Sequence, residues 1–172
     1  MPSVPERFTW AMSFLPIKSH HQVLEIGCGN GILAQLIAGK LKTGSLLGID
    51  QSAYAITQAR KRNEEAIRQQ KARFECCAVK DLKLIPETYD LITAFNTAFL
   101  WKASGTGIQI LAHALKVKGI LCLFYQTPYP ITLAEAAPIK HALIRHKLSI
   151  ETLHLEKLAT TTVLALTASR KA

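Results

Sequence analysis

Val23-Leu24-Glu25-Ile26-Gly27-Cys28-Gly29-Asn30-Gly31 is the stretch from which the rest of the chain is read. Val23 to Ile26 are apolar or strand-compatible and predict a short buried strand. Gly27, Gly29 and Gly31 then alternate with Cys28 and Asn30. Behind them Ile32-Leu33-Ala34-Gln35-Leu36-Ile37-Ala38 carries apolar residues at helical spacing. The element is strand, glycine turn, helix. In that layout, backbone N–H groups at the start of a helix meet a ligand with no Cβ in the way.

Two details constrain the ligand. A dinucleotide fingerprint places its third glycine at the sixth position, G-x-G-x-x-G. Here that position is Ile32, and the third glycine comes one residue early, at Gly31. Glu25, two residues before the first glycine, would repel a pyrophosphate and suits a ligand with a positive end. Further on, Asp50 closes a second apolar run, Leu46-Leu47-Gly48-Ile49. An acid at the tip of a second strand can accept from both hydroxyls of a ribose. These two acids fit a nucleoside that carries an ammonium or sulfonium group and no phosphate.

Glu25-Ile26-Gly27-Cys28-Gly29-Asn30-Gly31 resembles the E/D-x-G-x-G-x-G first motif of class I S-adenosylmethionine-dependent methyltransferases. Leu47-Gly48-Ile49-Asp50 resembles their second motif. The Asn96-Thr97-Ala98-Phe99-Leu100-Trp101 segment is similar to N-T-x-[YF]-[FL]-W in a group of small bacterial members. It is not N/D-P-P-[FY], the motif of many enzymes that methylate base nitrogens or glutamine amides.

The resemblance implies S-adenosylmethionine as cofactor. Glu25, Gly27, Cys28, Gly29 and Gly31 would face its methionine part, Asp50 its ribose and Gln51 its adenine. Family members often carry an aspartate after the third strand, where Ala78 stands here. Backbone at Val79 or Lys80 would then meet the ring edge. Asn96 would face the methionine part or the reacting centre, and Asn96 and Tyr125 are the catalytic candidates. Trp10, Phe14, Phe99, Trp101 and Tyr129 would wall the substrate pocket.

Along the chain, strands are predicted at 22–26, 45–49, 72–77, 89–95, 120–126, 149–157 and 161–169. Helices are predicted at 31–41, 52–70, 106–115 and 133–145. Strands alternating with helices argue a parallel sheet covered on both faces. The short 158–160 connection makes the last two strands antiparallel. The fold class expected is a doubly wound α/β sheet of seven strands, order 3-2-1-4-5-7-6, as in the resembled family. Residues 1–172 form one domain, with 1–21 as a helical segment or lid over the cofactor.

With 172 residues, 49% hydrophobic and 19% charged, the chain is long enough for a full core and is not disordered. It contains no apolar run long enough to span a membrane and no secretory signal pattern. Four cysteines without a C-x-x-C pair suit buried thiols in a reducing cytoplasm. The six histidines are not spaced with them as metal ligands, so no metal is expected.

Much of the net charge of +9 lies between Arg60 and Arg73, in Arg60, Lys61, Arg62, Arg68, Lys71 and Arg73 against Glu64 and Glu65. No aromatics are interleaved there for base stacking, so the run reads as a solvated helix face. The leading expectation is a methyltransferase acting on a small molecule. An RNA methyltransferase using the basic surface and a non-catalytic cofactor-binding partner subunit are the alternatives. The acceptor atom and the oligomeric state stay open at this level.

Overall fold

The computed structural model describes residues 4–82, 84–101 and 106–171, with backbone alone for 98 and 99. A helix α1 (Glu6–Met12) precedes strand β1 (Gln22–Ile26). There follow α2 (Ile32–Ala38), β2 (Ser45–Asp50), α3 (Ala53–Arg62), α4 (Glu64–Arg68) and β3 (Ala72–Cys76). After β4 (Tyr89–Phe95) come α5 (Ala98–Trp101), α6 (Thr106–Ala114), β5 (Leu115–Thr127), α7 (Ala137–Arg145), β6 (Leu148–Lys157) and β7 (Thr162–Arg170).

The strands form one seven-stranded sheet in the order β3-β2-β1-β4-β5-β7-β6. Pairing is parallel from β3 to β5 and antiparallel for β5 with β7 and β7 with β6. Chain order therefore reverses at β1, between β2 and β4, where doubly wound sheets hold their ligands past the strand C-termini.

Alternation along each strand sorts the core into two layers. Val23, Leu46, Leu91, Phe124 and Ala165 face α1, α2 and α3. Leu24, Ile26, Leu47, Ile92, Leu123 and Leu166 face α5, α6 and α7. On the first face α1 packs an aromatic cluster on β5. Trp10 and Phe14 lie 5.8 and 6.3 Å from Phe124, and Phe95 stacks on it at 5.7 Å. Trp10 Nε1 donates to Glu156 Oε2 at 2.7 Å, tying α1 across to β6. The segment expected as a lid thus has a structural role on the sheet face.

The helix expected over 31–41 ends at Ala38, the one expected over 133–145 is α-helical only from Ala137, and two further elements differ more. The helix expected over 52–70 breaks at Asn63, where φ is −105° and ψ 21°. Strand β5 begins at Leu115 and not at 120, because Leu115 pairs with Tyr89 ahead of a register shift. Lys118 at φ 65° and Gly119 absorb that shift, and a Cβ on Gly119 would meet Leu115 at 2.8 Å.

Phe124 is fully buried beneath three aromatic neighbours. Phe124→Ala should lower unfolding free energy by ~3–5 kcal/mol, the transfer term plus the cavity left between α1 and β5. Urea unfolding followed by circular dichroism measures it. Deleting residues 1–15 should lower stability as well, by uncovering the same face.

Candidate functional site

The glycine turn needs its glycines. Gly27, Gly29 and Gly31 have φ of 69°, 53° and 74°, in the left-handed region that a β-carbon disfavours. Gly31 is also closed in sterically: a Cβ there would lie 2.6 Å from Asn63 Nδ2 and 2.9 Å from Ala59 Cα.

Neighbouring strands hold the turn. Cys28 N–H donates to Ile49 O at 2.9 Å, and Gly29 N–H donates to Asp50 Oδ2 at 2.9 Å. The other Asp50 oxygen accepts from Ser52 N–H at 2.9 Å, and Ser52 caps α3. The Thr97 hydroxyl reaches Ile26 O at 3.4 Å from the β4 side.

A cleft of about 430 Å³ opens at the tips of β1, β2, β3 and β4. Its lining is Ile26, Gly27, Ile49, Asp50, Gln51, Cys77, Val79, Phe95, Asn96 and Thr97. The volume lies within the roughly 300–1,000 Å³ typical of small-molecule sites. Among the described residues, one carboxylate and no lysine or arginine line it. That balance suits a neutral or cationic ligand and opposes a pyrophosphate. Ile26, Ile49, Val79 and Phe95 supply apolar wall, and Asp50 supplies acceptors. Lys80 is exposed and outside the lining.

Of the residues singled out in the sequence, Gly27, Asp50, Gln51, Val79 and Asn96 meet in this cleft. Cys28 and Glu25 lie beneath the turn, 6% and 2% exposed. Glu25 Oε2 has no hydrogen-bond partner among the described residues. Burial, reinforced by the Asp50 charge, pushes its carboxyl up to about 8. Glu25 is therefore largely protonated at neutral pH and presents no charge to the cleft.

Asn96 stands in the left-handed region, φ 54°, and its Oδ1 accepts from Gln126 N–H at 2.6 Å. It locks the tips of β4 and β5 together. Trp101 and Tyr125 pair at 5.3 Å on the α5–α7 face, opposite the face that carries Trp10 and Phe14. The structure does not bring these four aromatics into one pocket. Phe8, 5.4 Å from Phe95, is the contact of α1 with a wall of the cleft. Tyr129 is mostly exposed, and the Phe99 side chain lies outside the described residues. Burial, with Tyr129 and Glu135 nearby, raises the Tyr125 pKa, so this phenol keeps its proton.

Sequence reasoning missed Ile26, Ile49, Cys77, Phe95 and Thr97 as lining residues. Each sits at or near a strand end, and counting strand tips would have found them. It also missed Arg62 and Asn63. Arg62 Nε donates to Asn30 O at 3.0 Å, and Asn63 Nδ2 donates to Gly31 O at 3.0 Å. Asn63 continues the buried stripe of Ile56 and Ala59, and a polar residue on such a stripe is the signal. Arg60 NH2 likewise donates to Phe74 O at 2.7 Å. The basic run on α3 is therefore partly tied to backbone carbonyls.

A larger cavity, about 1070 Å³, opens among Gln109, His113, Arg145, Lys147 and Arg170. It lies at the C-terminal ends of α6 and α7, where cations face the helix dipoles, and shares no residue with the strand-tip cleft. Among the described residues no group of acids, histidines and cysteines could hold a metal ion, and no helix is long and apolar enough to cross a membrane.

Residues 23–119, more than half of the chain, match the family described as "Methyltransferase domain". A malonyl-[acyl-carrier protein] O-methyltransferase of Acetivibrio thermocellus is 30% identical over 108 residues, covering 62% of this chain and 36% of that protein. One of Priestia megaterium is 34% identical over 100 residues, 58% of this chain and 34% of that protein. The match thus spans about a third of each of these curated relatives. A putative S-adenosylmethionine dependent methyltransferase from Listeria monocytogenes superposes with a TM-score of 0.80 at 15% identity, over 96% of this chain and 98% of that one. At that identity the likeness is one of fold.

The buried Glu25 sets a pH dependence. Its folded pKa, about 8, lies above the ordinary value of 4.5, so between these values the folded chain binds more protons than the unfolded one. Its contribution to ligand-free stability is therefore intact below about 4.5 and falls as pH rises towards 8. Glu25→Gln should remove this slope and gain stability relative to wild type at pH 8. Urea midpoints at pH 5, 6.5 and 8 measure the difference; parallel curves for the two proteins would contradict it.

Proposed function

Since the chain belongs to the methyltransferase-domain family, we propose that it binds S-adenosylmethionine in the strand-tip cleft and transfers its methyl group to a small-molecule acceptor. The observation that carries this reading is the lining of the cleft. A glycine turn, one carboxylate and an apolar slot meet there, with no cationic side chain among the described lining residues. Asp50 would hold the ribose, Gln51 and the Val79 segment the adenine, and Gly27 the methionine part. When bound, the cofactor's sulfonium supplies an electrophilic methyl group.

The chain's own contribution is alignment. The Asn96 lock on Gln126 fixes the rim between β4 and β5. Tyr125, retaining its proton, can donate a hydrogen bond to an acceptor there. Positioning of this kind can supply up to about 7–11 kcal/mol of a barrier, so no strong base is required. The relatives named for malonyl-[acyl-carrier protein] O-methylation support a small acyl acceptor over a nucleic acid. Arg60 and Arg62, bound to backbone carbonyls, leave less of α3 for an RNA backbone. The cysteines described, none in a disulfide, suit action in the cytoplasm.

S-adenosylhomocysteine should bind in calorimetry and raise the melting temperature, whereas NAD should do neither. Asp50→Ala should weaken binding by ~1–3 kcal/mol, since hydrogen bonds to a charged acceptor are lost. NAD binding without adenosyl-ligand binding would overturn the reading of the cleft.

A further inference from the structure

The turn beneath the cleft is gripped from α3 as well as from the sheet. Asn63 is 2% exposed and ends α3. Its Nδ2 donates both to Gly31 O at 3.0 Å and to Ala59 O at 2.9 Å. Its backbone N–H donates to Ala59 O at 3.0 Å, and its carbonyl accepts from Ile67 N–H at 2.9 Å. One residue thus closes α3, starts α4 and reaches across to the turn. Arg62, exposed on the other side of the junction, donates Nε–H to Asn30 O at 3.0 Å, and its carbonyl accepts from Gln35 Nε2 at 3.4 Å.

These contacts act on consecutive peptide units. Arg62 holds the Asn30 carbonyl and Asn63 the Gly31 carbonyl. A peptide is planar and trans, so a fixed carbonyl also fixes the N–H of the next residue, here Gly31 and then Ile32. Gly31 N–H donates to Cys28 O at 3.0 Å, which closes the turn. Inside that closed turn, Gly29 N–H holds Asp50 Oδ2 at 2.9 Å. Asp50 and Gly27 line the cleft. A path of direct contacts runs from α3, through the turn, to the groups that would meet the ligand.

We propose that Arg62 and Asn63 are positioning residues that hold the glycine turn in its ligand-binding shape, so that cofactor affinity depends on the end of α3. The proposal rests on reading the strand-tip cleft as the S-adenosylmethionine site. It assigns the basic run of α3 a task beyond solubility, with Lys61 as the member that has no such contact among the described residues. Neither residue touches the cleft, so both act through the turn.

The test uses S-adenosylhomocysteine calorimetry and amide NMR spectra on the full chain, with Arg62→Met, Asn63→Ala and Lys61→Met. Arg62 is exposed, so Arg62→Met should keep the melting temperature near wild type while raising Kd about two- to tenfold, as one hydrogen bond is lost. Its ligand-free spectrum should shift the Gly31 and Ile32 amides. Asn63→Ala should raise Kd further, measured below its lowered melting temperature. Lys61→Met should match wild type in both readouts. Wild-type binding with unchanged Kd and unchanged turn amides in Arg62→Met overturns the positioning role alone, even if Asn63→Ala fails to fold. A wild-type chain that does not bind S-adenosylhomocysteine overturns the cofactor reading and this proposal together.

Discussion

Gly31 lies directly against α3. A β-carbon there would sit 2.6 Å from Asn63 Nδ2 and 2.9 Å from Ala59 Cα. Neither neighbour can yield. Ala59 Cα is backbone, and Asn63 is committed to two carbonyl acceptors. The glycine therefore lets the turn lie directly on the helix, and the buried asparagine donates to the Gly31 carbonyl, which also accepts from Gln35 N–H at 3.0 Å. α3 in turn rests on β2 and β3, so the turn is seated on the sheet whose tips form the cleft. Closing the same gap with an apolar residue at 63 would leave the Gly31 carbonyl without its side-chain donor.

Electrostatics follows from this seating. Burial raises the Glu25 carboxyl to about 8, so it is largely protonated at neutral pH, while Asp50 remains at the cleft with both oxygens held by backbone N–H groups. Two acids that look alike in sequence thus have different tasks. Asp50 is the carboxylate that lines the cleft. Glu25 is a buried group beside it, and a second ionised carboxylate there would be opposed by both desolvation and the charge of Asp50.

Most of the fold was legible because most of the strands are apolar runs and most of the crossovers carry a helix-period pattern. The short connection before Thr162 fixed the antiparallel pair, and the strand order followed from the resemblance. The break at Asn63 was not legible, since the helical pattern runs unbroken through it and the break depends on a turn more than thirty residues away. The early start of β5 was hidden for a similar reason: Leu115 becomes strand by pairing with Tyr89, not by its own pattern. At the site, strand tips were readable from the glycines and Asp50. Which aromatics share a face was not, because that is set by parity on neighbouring strands. Trp10 and Phe14 follow Phe124, whereas Trp101 follows Tyr125. The burial of Glu25 also escaped the sequence, which shows an acid beside a glycine turn but not the depth at which it lies.

On the proposed function, the four strand tips form an adenosyl-ligand site organised by Asp50 and the glycine turn. A crystal structure of the chain with S-adenosylhomocysteine tests it most directly. The ribose hydroxyls should lie within roughly 2.5–3.0 Å of the Asp50 carboxylate, the adenine against Ile49 and Val79, and the Gly31 carbonyl still on Asn63. Ligand density in the basic cavity between α6 and α7, or at the strand tips with its ribose turned away from Asp50, would contradict it.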